Sequence, residues 1–321
     1  MKALGLTDGS AGMAAQVRAL AEAMNCTLKE EKIAINFAWK YLPNAAFLLS
    51  CFLPVTRSFP DVAGYDVVIS CGRKAALVSA ALRKKVKKNN GATTKFIHIQ
   101  DPQMSPTKFD MVIAMAHDKV DGANVIKTYF ALHNITDKRL AAARVKWEAK
   151  FSPYPSSRCG VLFGGSTNKY QLNLENMQEA LIELRAAFER DGGSLLITTS
   201  RRTGIDNIFA LHSEFYSVPN VMIFDGDGDN PYAGILALSD VLIVTNDSVN
   251  MMSEAYATGK PLYILRLQEH VDTKPADFAE MLVEMGSAQW LNGDEKAQAH
   301  IPELEMEALA GSIREIFSEL A

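Results

Sequence analysis

The chain has 321 residues, 48% of them hydrophobic and 22% charged, ordinary globular values that exclude a disordered or collagen-like chain. Its 33 basic and 37 acidic residues leave a formal net charge of −4, without the basic excess of a nucleic-acid binder. The four cysteines (Cys26, Cys51, Cys71 and Cys159) form no C-x-x-C pair and no Cys/His ligand spacing, so they read as buried thiols of a reducing compartment.

Lys2–Thr7 reads as a strand and lacks the apolar run of a signal peptide. The small-residue loop Asp8–Gly12 leads into a helix over Met13–Met24, where Val17, Leu20, Ala21 and Met24 recur at helical spacing. Phe37–Phe59 is rich in Trp, Phe, Leu and Pro. It reads either as the buried core of an irregular region or as an interfacial anchor, with Trp39 and Phe47 as its test positions. Asp66–Ser70 is a buried strand, followed by Gly72 and a helix through Lys85. The basic run Arg83–Lys88 is a helix end that would also suit a membrane surface. Lys95–Ile99 and Met111–Met115 are further strands. No stretch reaches the roughly 18 continuous apolar residues of a membrane span, and a cytoplasmic protein is expected, at most touching the inner face of the membrane.

Phe151–Ser157, with two prolines and three serines, is the best linker in the chain. A second series of strands follows it: Cys159–Phe163, Ser194–Thr198, Val221–Phe224, Val241–Thr245 and Pro261–Leu265, with helices over Leu174–Arg190 and Val249–Thr258. The expected architecture is α/β, with two doubly wound Rossmann-like domains facing across a cleft. The first spans residues 1–152 and the second 158–300. A last helix, in 301–321, is expected by analogy to pack back on the first domain.

In such sheets ligands bind outside the carboxyl ends of the strands, so the loops there are the candidate sites. Gly164, Gly165 and Ser166, followed by Thr167, Asn168 and Lys169, resemble a phosphate-holding loop without being a standard glycine-rich motif. Thr199, Ser200, Arg201 and Arg202 end the next strand, where arginines can clamp an anion. Asp225, Asp227 and Asp229 are not an EF-hand, because Asn230 and Leu236 stand where Gly and Glu are required; a turn before a helix starting near Pro231 fits better. After Thr245, Asp247 or Ser248 caps a helix whose first N–H groups suit a diphosphate, and Glu254 two turns on can accept two vicinal ribose hydroxyls. In the first domain Asp8, Gly9, Ser10, Gly72, Arg73, Asp101 and His117 occupy the corresponding rim; Asp8 and His117 are the candidate bases.

Together the segments ISCGRKAALVSAALRK, IQDPQ, FDMVIAMAHDKVDGANVIKTYFALHNIT, LLITTSRRTG and DGDGDNPYAGILALSDVLIVTNDSVNMMSEAYATGKP resemble the elongated-mitochondria (mitochondrial fission) family, in its bacterial form. The opening TDGSAG departs from the DGKPGH-like pattern of that family, with Ser10 and Met13 in place of a Lys and a His. The resemblance implies a GT-B glycosyltransferase-like fold. It also implies a UDP- or GDP-type nucleotide sugar held by the second domain without a metal, and an unknown acceptor, lipid-linked if 37–59 is an anchor. NDSVNMMSEAYATGKP is similar to the donor segment of a cell-wall N-acetylglucosaminyltransferase, which implies Glu254 at the ribose and Asp247–Val249 near the diphosphate. Gly164, Gly165, Ser166, Thr199, Ser200, Arg201, Asp229, Asn230 and Thr245 complete the expected donor side, and Gly9, Ser10, Gly72, Arg73 and Asp101 the acceptor side. Two alternatives accompany the transferase: a non-catalytic scaffold, as in plant members that act in mitochondrial division, and a sugar-nucleotide epimerase.

Overall fold

The computed structural model of the chain describes residues 1–51, 54–88, 93–167, 170–267, 273–293, 296–302 and 305–319. The chain divides into two compact units, Met1–Asn134 with Leu304–Ala321, and Ile135–Glu303.

The first unit runs β1 (Lys2–Thr7), α1 (Ala11–Ala23), β2 (Thr27–Lys32), β3 (Val67–Cys71), α2 (Arg73–Lys87), β4 (Lys95–Ile99), β5 (Met111–Met115) and β6 (Val125–Thr128). Its strands form one parallel sheet in the order β2-β1-β3-β4-β5-β6. β3 (VVISC) is buried along its whole length, as a parallel strand covered on both faces must be. Sequence patterning finds β1, β3, β4 and β5 but neither of the two edge strands, β2 and β6; β2 is the instructive case. That strand reads TLKEEK, with no residue fully buried, and its charges suit an edge that must not recruit another strand. Its lysine and glutamate side chains are used locally: Glu30 pairs with Arg18 at 2.7 Å and Glu31 with Lys29 at 2.8 Å.

The second unit runs α3 (Asp137–Phe151), β7 (Arg158–Phe163), α4 (Leu174–Asp191), β8 (Ser194–Thr199), α5 (Ile205–Glu214), β9 (Val221–Phe224), α6 (Tyr232–Leu238), β10 (Val241–Thr245), α7 (Val249–Tyr256), β11 (Leu262–Leu265), α8 (Lys274–Glu284) and β12 (Gln289–Trp290). Its parallel sheet has the order β12-β11-β10-β7-β8-β9. The chain starts in the middle at β7, builds outward to β9, then returns to the other side of β7 with β10. The strand order therefore reverses between β7 and β10, where an open α/β sheet leaves its ligand crevice.

The unit boundary falls at Asn134–Ile135, ahead of α3, so the Pro/Ser-rich stretch 151–157 lies inside the second unit. The reason is packing. Trp147 of α3 lies against Gly234 of α6, where a Cβ would come within 2.4 Å of Trp147 Cγ. Arg144 Nη2 donates to the Ala237 carbonyl at 2.9 Å, and Arg158 ties the stretch down by donating to the Tyr154 and Phe151 carbonyls. The last helix, α9 (Glu305–Glu319), belongs to the first unit: Leu309, Ala310 and Ile313 join Val17 and Leu20 of α1 in its core, and Arg314 Nη1 donates to the Ala23 carbonyl at 2.8 Å.

Phe37–Lys40 and Asn44–Cys51 are 3₁₀ turns. Trp39 is fully buried and Phe47 nearly so, packed with Leu77 and Phe109 in a core cluster of the first unit. The core reading of 37–59 thus accounts for the two positions named as its test. Among the described side chains Phe37 and Tyr41 are the exposed aromatics there; Phe52 and Leu53 lie outside the described residues. Among the described residues no helix is long and apolar enough to cross a membrane.

Candidate functional site in the second unit

The switch point brings the end of β7 against the end of β10. Gly164 N–H donates to Thr245 Oγ1 at 2.8 Å, and Thr245 Oγ1 donates to Asp247 Oδ1 at 2.6 Å. Gly165 N–H donates to Asp247 Oδ2 at 2.9 Å, and Arg202 Nη2 reaches the same oxygen at 2.8 Å. The Asp247 side chain is only 2% exposed. Arg202 continues inward: its Nη1 donates to the Gly165 and Ser166 carbonyls. The glycines are needed for this close packing. A Cβ on Gly164 would stand 2.0 Å from Asp247 Oδ1, and one on Gly165 would stand 2.2 Å from the Arg202 backbone. The sides of the glycine loop where a side chain would project are therefore filled by protein. Ser166 is tied in as well, its N–H to the Arg202 carbonyl and its Oγ accepting from Leu172 N–H, both at 3.0 Å. Asn168 and Lys169 lie outside the described residues.

Thr199 Oγ1 donates to the Phe224 carbonyl, and Ser200 folds a turn with Thr203, whose hydroxyl donates to the Gly164 carbonyl. Arg201 is exposed beside this turn. The pair Arg201–Arg202 thus splits: Arg202 braces the loop and Arg201 faces water. Asp229 is exposed and pairs with Lys146 at 3.1 Å, Asp225 pairs with His212 at 3.2 Å, and Asn230 Oδ1 closes the turn before α6 by accepting from Tyr232 N–H at 2.9 Å.

α7 begins as its sequence predicts. Ser248 is the N-cap, with extended backbone and its hydroxyl accepting from Met251 N–H at 3.4 Å. Two turns on, Glu254 is not a solvated helix-face residue. It is half-buried, and its Oε2 accepts a hydrogen bond from the Tyr232 hydroxyl of α6. Burial pushes the Glu254 carboxyl above the usual range and the Tyr232 bond pulls it partway back. Burial and the facing carboxylate together push the Tyr232 phenol far up, so that it stays a donor. Tyr232 escapes a sequence reading because only the folded sheet brings the start of α6 to Glu254 on α7; its place beside the Asn-Pro helix start is the one available signal.

In the first unit, Asp8 Oδ1 accepts from Ser10 N–H and Oγ, and Oδ2 from Lys74 Nζ at 3.1 Å. Burial opposes the charge on Asp8, but these bonds outweigh it and hold the carboxyl below the usual aspartate range. Gly9 and Gly72 have positive φ (89° and 86°), and Met13 Sδ lies where a Gly72 Cβ would project. Arg73 donates to the Leu42 and Lys40 carbonyls, anchoring the 3₁₀ turns, and Asp101 Oδ1 closes a turn by accepting from Gln103 N–H. His117 is exposed after β5, with its Nε2 4.0 Å from Asp118 Oδ1.

Residues 11–317 match the family model described as Mitochondrial fission ELM1, and the chain belongs to that family. It is 29% identical over 255 residues to the mitochondrial fission protein ELM1 of Arabidopsis thaliana, across 71% of this chain and 58% of that relative, so it spans somewhat over half the length of the plant protein. It is 26% identical over 327 residues to the uncharacterized protein RP120 of Rickettsia prowazekii, across 89% of each. Among solved structures it resembles the UDP-GlcNAc 2-epimerase of Methanocaldococcus jannaschii in complex with UDP-GlcNAc and UDP, at 12% identity and TM-score 0.54, over 98% of this chain and 100% of that one. It also resembles the spinosyn forosaminyltransferase SpnP, at 12% identity and TM-score 0.51, over 99% and 95%. At such identities the likeness shows the fold, GT-B-type α/β, and no more.

Proposed function

We propose that the second unit of this ELM1-family chain binds a nucleoside diphosphate sugar of the UDP or GDP type and that the protein transfers its sugar to an acceptor hydroxyl. The observation that carries this reading is Glu254, a carboxylate kept half-buried at a cost, just inside a helix that starts at the switch point of a parallel sheet. A carboxylate so placed suits two vicinal ribose hydroxyls, and the Ser248-capped first turn of α7 suits the diphosphate through its N–H groups and dipole. Arg201, exposed at the end of β8, is the cation available to the phosphates. With charge offset in this way the reading needs no metal ion. A fold neighbour whose structure holds UDP-GlcNAc and UDP supports the ligand class.

In the inverting form of the reaction the acceptor oxygen attacks the anomeric carbon, the bond from that carbon to the diphosphate breaks, and a base takes the hydroxyl proton. Asp8, held low by Ser10 and Lys74, is a weak base, which leaves His117 as the better candidate. The deciding experiment is a thermal-shift screen against UDP, GDP and their sugars, with and without EDTA. The expected result is a selective shift, insensitive to EDTA and lost in Glu254→Ala. No shift with any nucleotide at millimolar concentration refutes the reading and favours a non-catalytic scaffold. A sugar converted without any acceptor points instead to epimerisation.

A further inference from the structure

We infer that Tyr232 is a positioning residue for Glu254, and that this pair makes the site selective for ribonucleotides over 2′-deoxyribonucleotides. The inference rests on the proposed function and adds to it a residue and a specificity. Among the described residues Tyr232 is the one side chain that donates to Glu254, and it does so to Oε2. An ionised carboxylate has about four acceptor sites on two oxygens, so one bond from Tyr232 leaves capacity for two ligand hydroxyls. It also removes a freedom. A glutamate carboxylate without a fixed partner turns about its last bond and takes a single hydroxyl in many orientations. With Oε2 tied to a phenol it presents its remaining acceptors in one plane, which two neighbouring hydroxyls match and a lone 3′-hydroxyl does not.

The phenol is itself held. The Tyr232 N–H is bound by Asn230 Oδ1, and Pro231 is the N-cap of α6, so the start of that helix is defined. A neutral acceptor would satisfy a half-buried tyrosine at less cost than a carboxylate whose burial penalises its charge. The choice of Glu makes sense if the far side of the carboxylate meets a ligand.

The test measures binding of UDP, GDP, 2′-deoxy-UDP and 2′-deoxy-GDP by calorimetry to the full chain, the Tyr232→Phe variant and the Glu254→Asp variant. The unmodified protein is expected to prefer the ribonucleotide. Tyr232→Phe, which keeps the ring, is expected to weaken the ribonucleotide roughly tenfold, the scale of a lost hydrogen bond to a charged group. It should change the deoxyribonucleotide much less, so that the preference collapses. Glu254→Asp keeps the charge but withdraws it from Tyr232, and is expected to lose the preference too. If Tyr232→Phe fails to fold, Glu254→Asp still decides, because a retained preference there overturns the inference. An unchanged preference in a folded Tyr232→Phe also overturns it, while leaving nucleotide binding intact. Failure of every nucleotide to bind the unmodified protein overturns both this inference and the proposed function.

Discussion

Replacing Asp247 by Ala separates a ligand contact from a structural strut. In the structure this carboxylate, 2% exposed, receives Thr245 Oγ1 at 2.6 Å, Gly165 N–H at 2.9 Å and Arg202 Nη2 at 2.8 Å. Truncation leaves the buried Gly165 N–H without its acceptor, at about 1–3 kcal/mol. Thr245 keeps a weaker outlet, the Leu162 carbonyl at 3.4 Å, so its loss is smaller. Arg202 is 40% exposed and can turn to water, so its share of the ion pair is discounted for solvent screening. The sum is about 2–4 kcal/mol, or roughly 4–16 °C in the transition of a unit this size. Calorimetry that resolves the transitions of the two units, with amide exchange at Gly165, is the assay. Asp247→Asn should recover part of the loss: with its oxygen towards Gly165 N–H and Arg202, its amide nitrogen faces the Thr245 hydroxyl, which can accept while donating to the Leu162 carbonyl. A variant that loses nucleotide binding while unfolding within about 1 °C of the parent would refute this account and make Asp247 a ligand contact.

Further outcomes follow from the same packing. Gly234→Ala puts a Cβ into the body of Trp147 and should cost about 1–3 kcal/mol, read as a lower urea midpoint for the second unit. Trp39→Ala should destabilise the first unit by about 3–5 kcal/mol, since the ring is fully buried; little change in its melting would place that ring on the surface instead. Acid should destabilise the first unit through His98. Burial holds this imidazole down to about 3 in the folded state, against about 6.5 when unfolded, so the unfolded chain binds the proton first. The contribution is intact above pH ~6.5 and is lost as pH falls towards 3, at about 1.4 kcal/mol per unit. His133, pushed down to about 4 by burial, adds to the upper part of the same window, between about pH 6.5 and 4. His98→Phe should make the melting temperature of the first unit fall less steeply between pH 7 and 5, with His133 supplying the slope that remains, and an equal slope in the variant would exclude His98 as a source.

How far the fold could be read from the sequence depends on whether a feature is local. Central strands such as β3 and β7 are apolar runs because a parallel strand is covered on both faces, and their limits were legible to within a residue or two. β2 was not, because a charged edge strand has no apolar signature. The unit boundary was misplaced for a related reason. A Pro/Ser-rich stretch looks like a linker, whereas α3 is drawn into the second unit by Trp147 meeting a glycine far along the chain. At the site, the capping of α7 by Ser248 could be read directly, since an N-cap is a four-residue pattern. The roles of Arg202 and Tyr232 could not, because each acts on a residue many positions away.

The segment from Thr245 to Tyr256 holds one buried carboxylate and one half-buried one, and counting their acceptor sites tells them apart. Asp247 accepts a hydroxyl, a backbone N–H and a guanidinium, with one oxygen shared between the last two. Little capacity remains, and its donors all belong to the loops it holds together. Glu254 accepts one phenol and keeps most of its lone pairs. A folded protein leaves such capacity unused at a cost, since a desolvated carboxylate with one partner is less stable than one with three. The resemblance to donor-site segments implies Glu254 at the ribose and Asp247–Val249 near the diphosphate. The hydrogen bonding distinguishes the two: Asp247 holds the end of β7 in shape, and Glu254 keeps the unfilled acceptor sites that the proposed ribose contact requires.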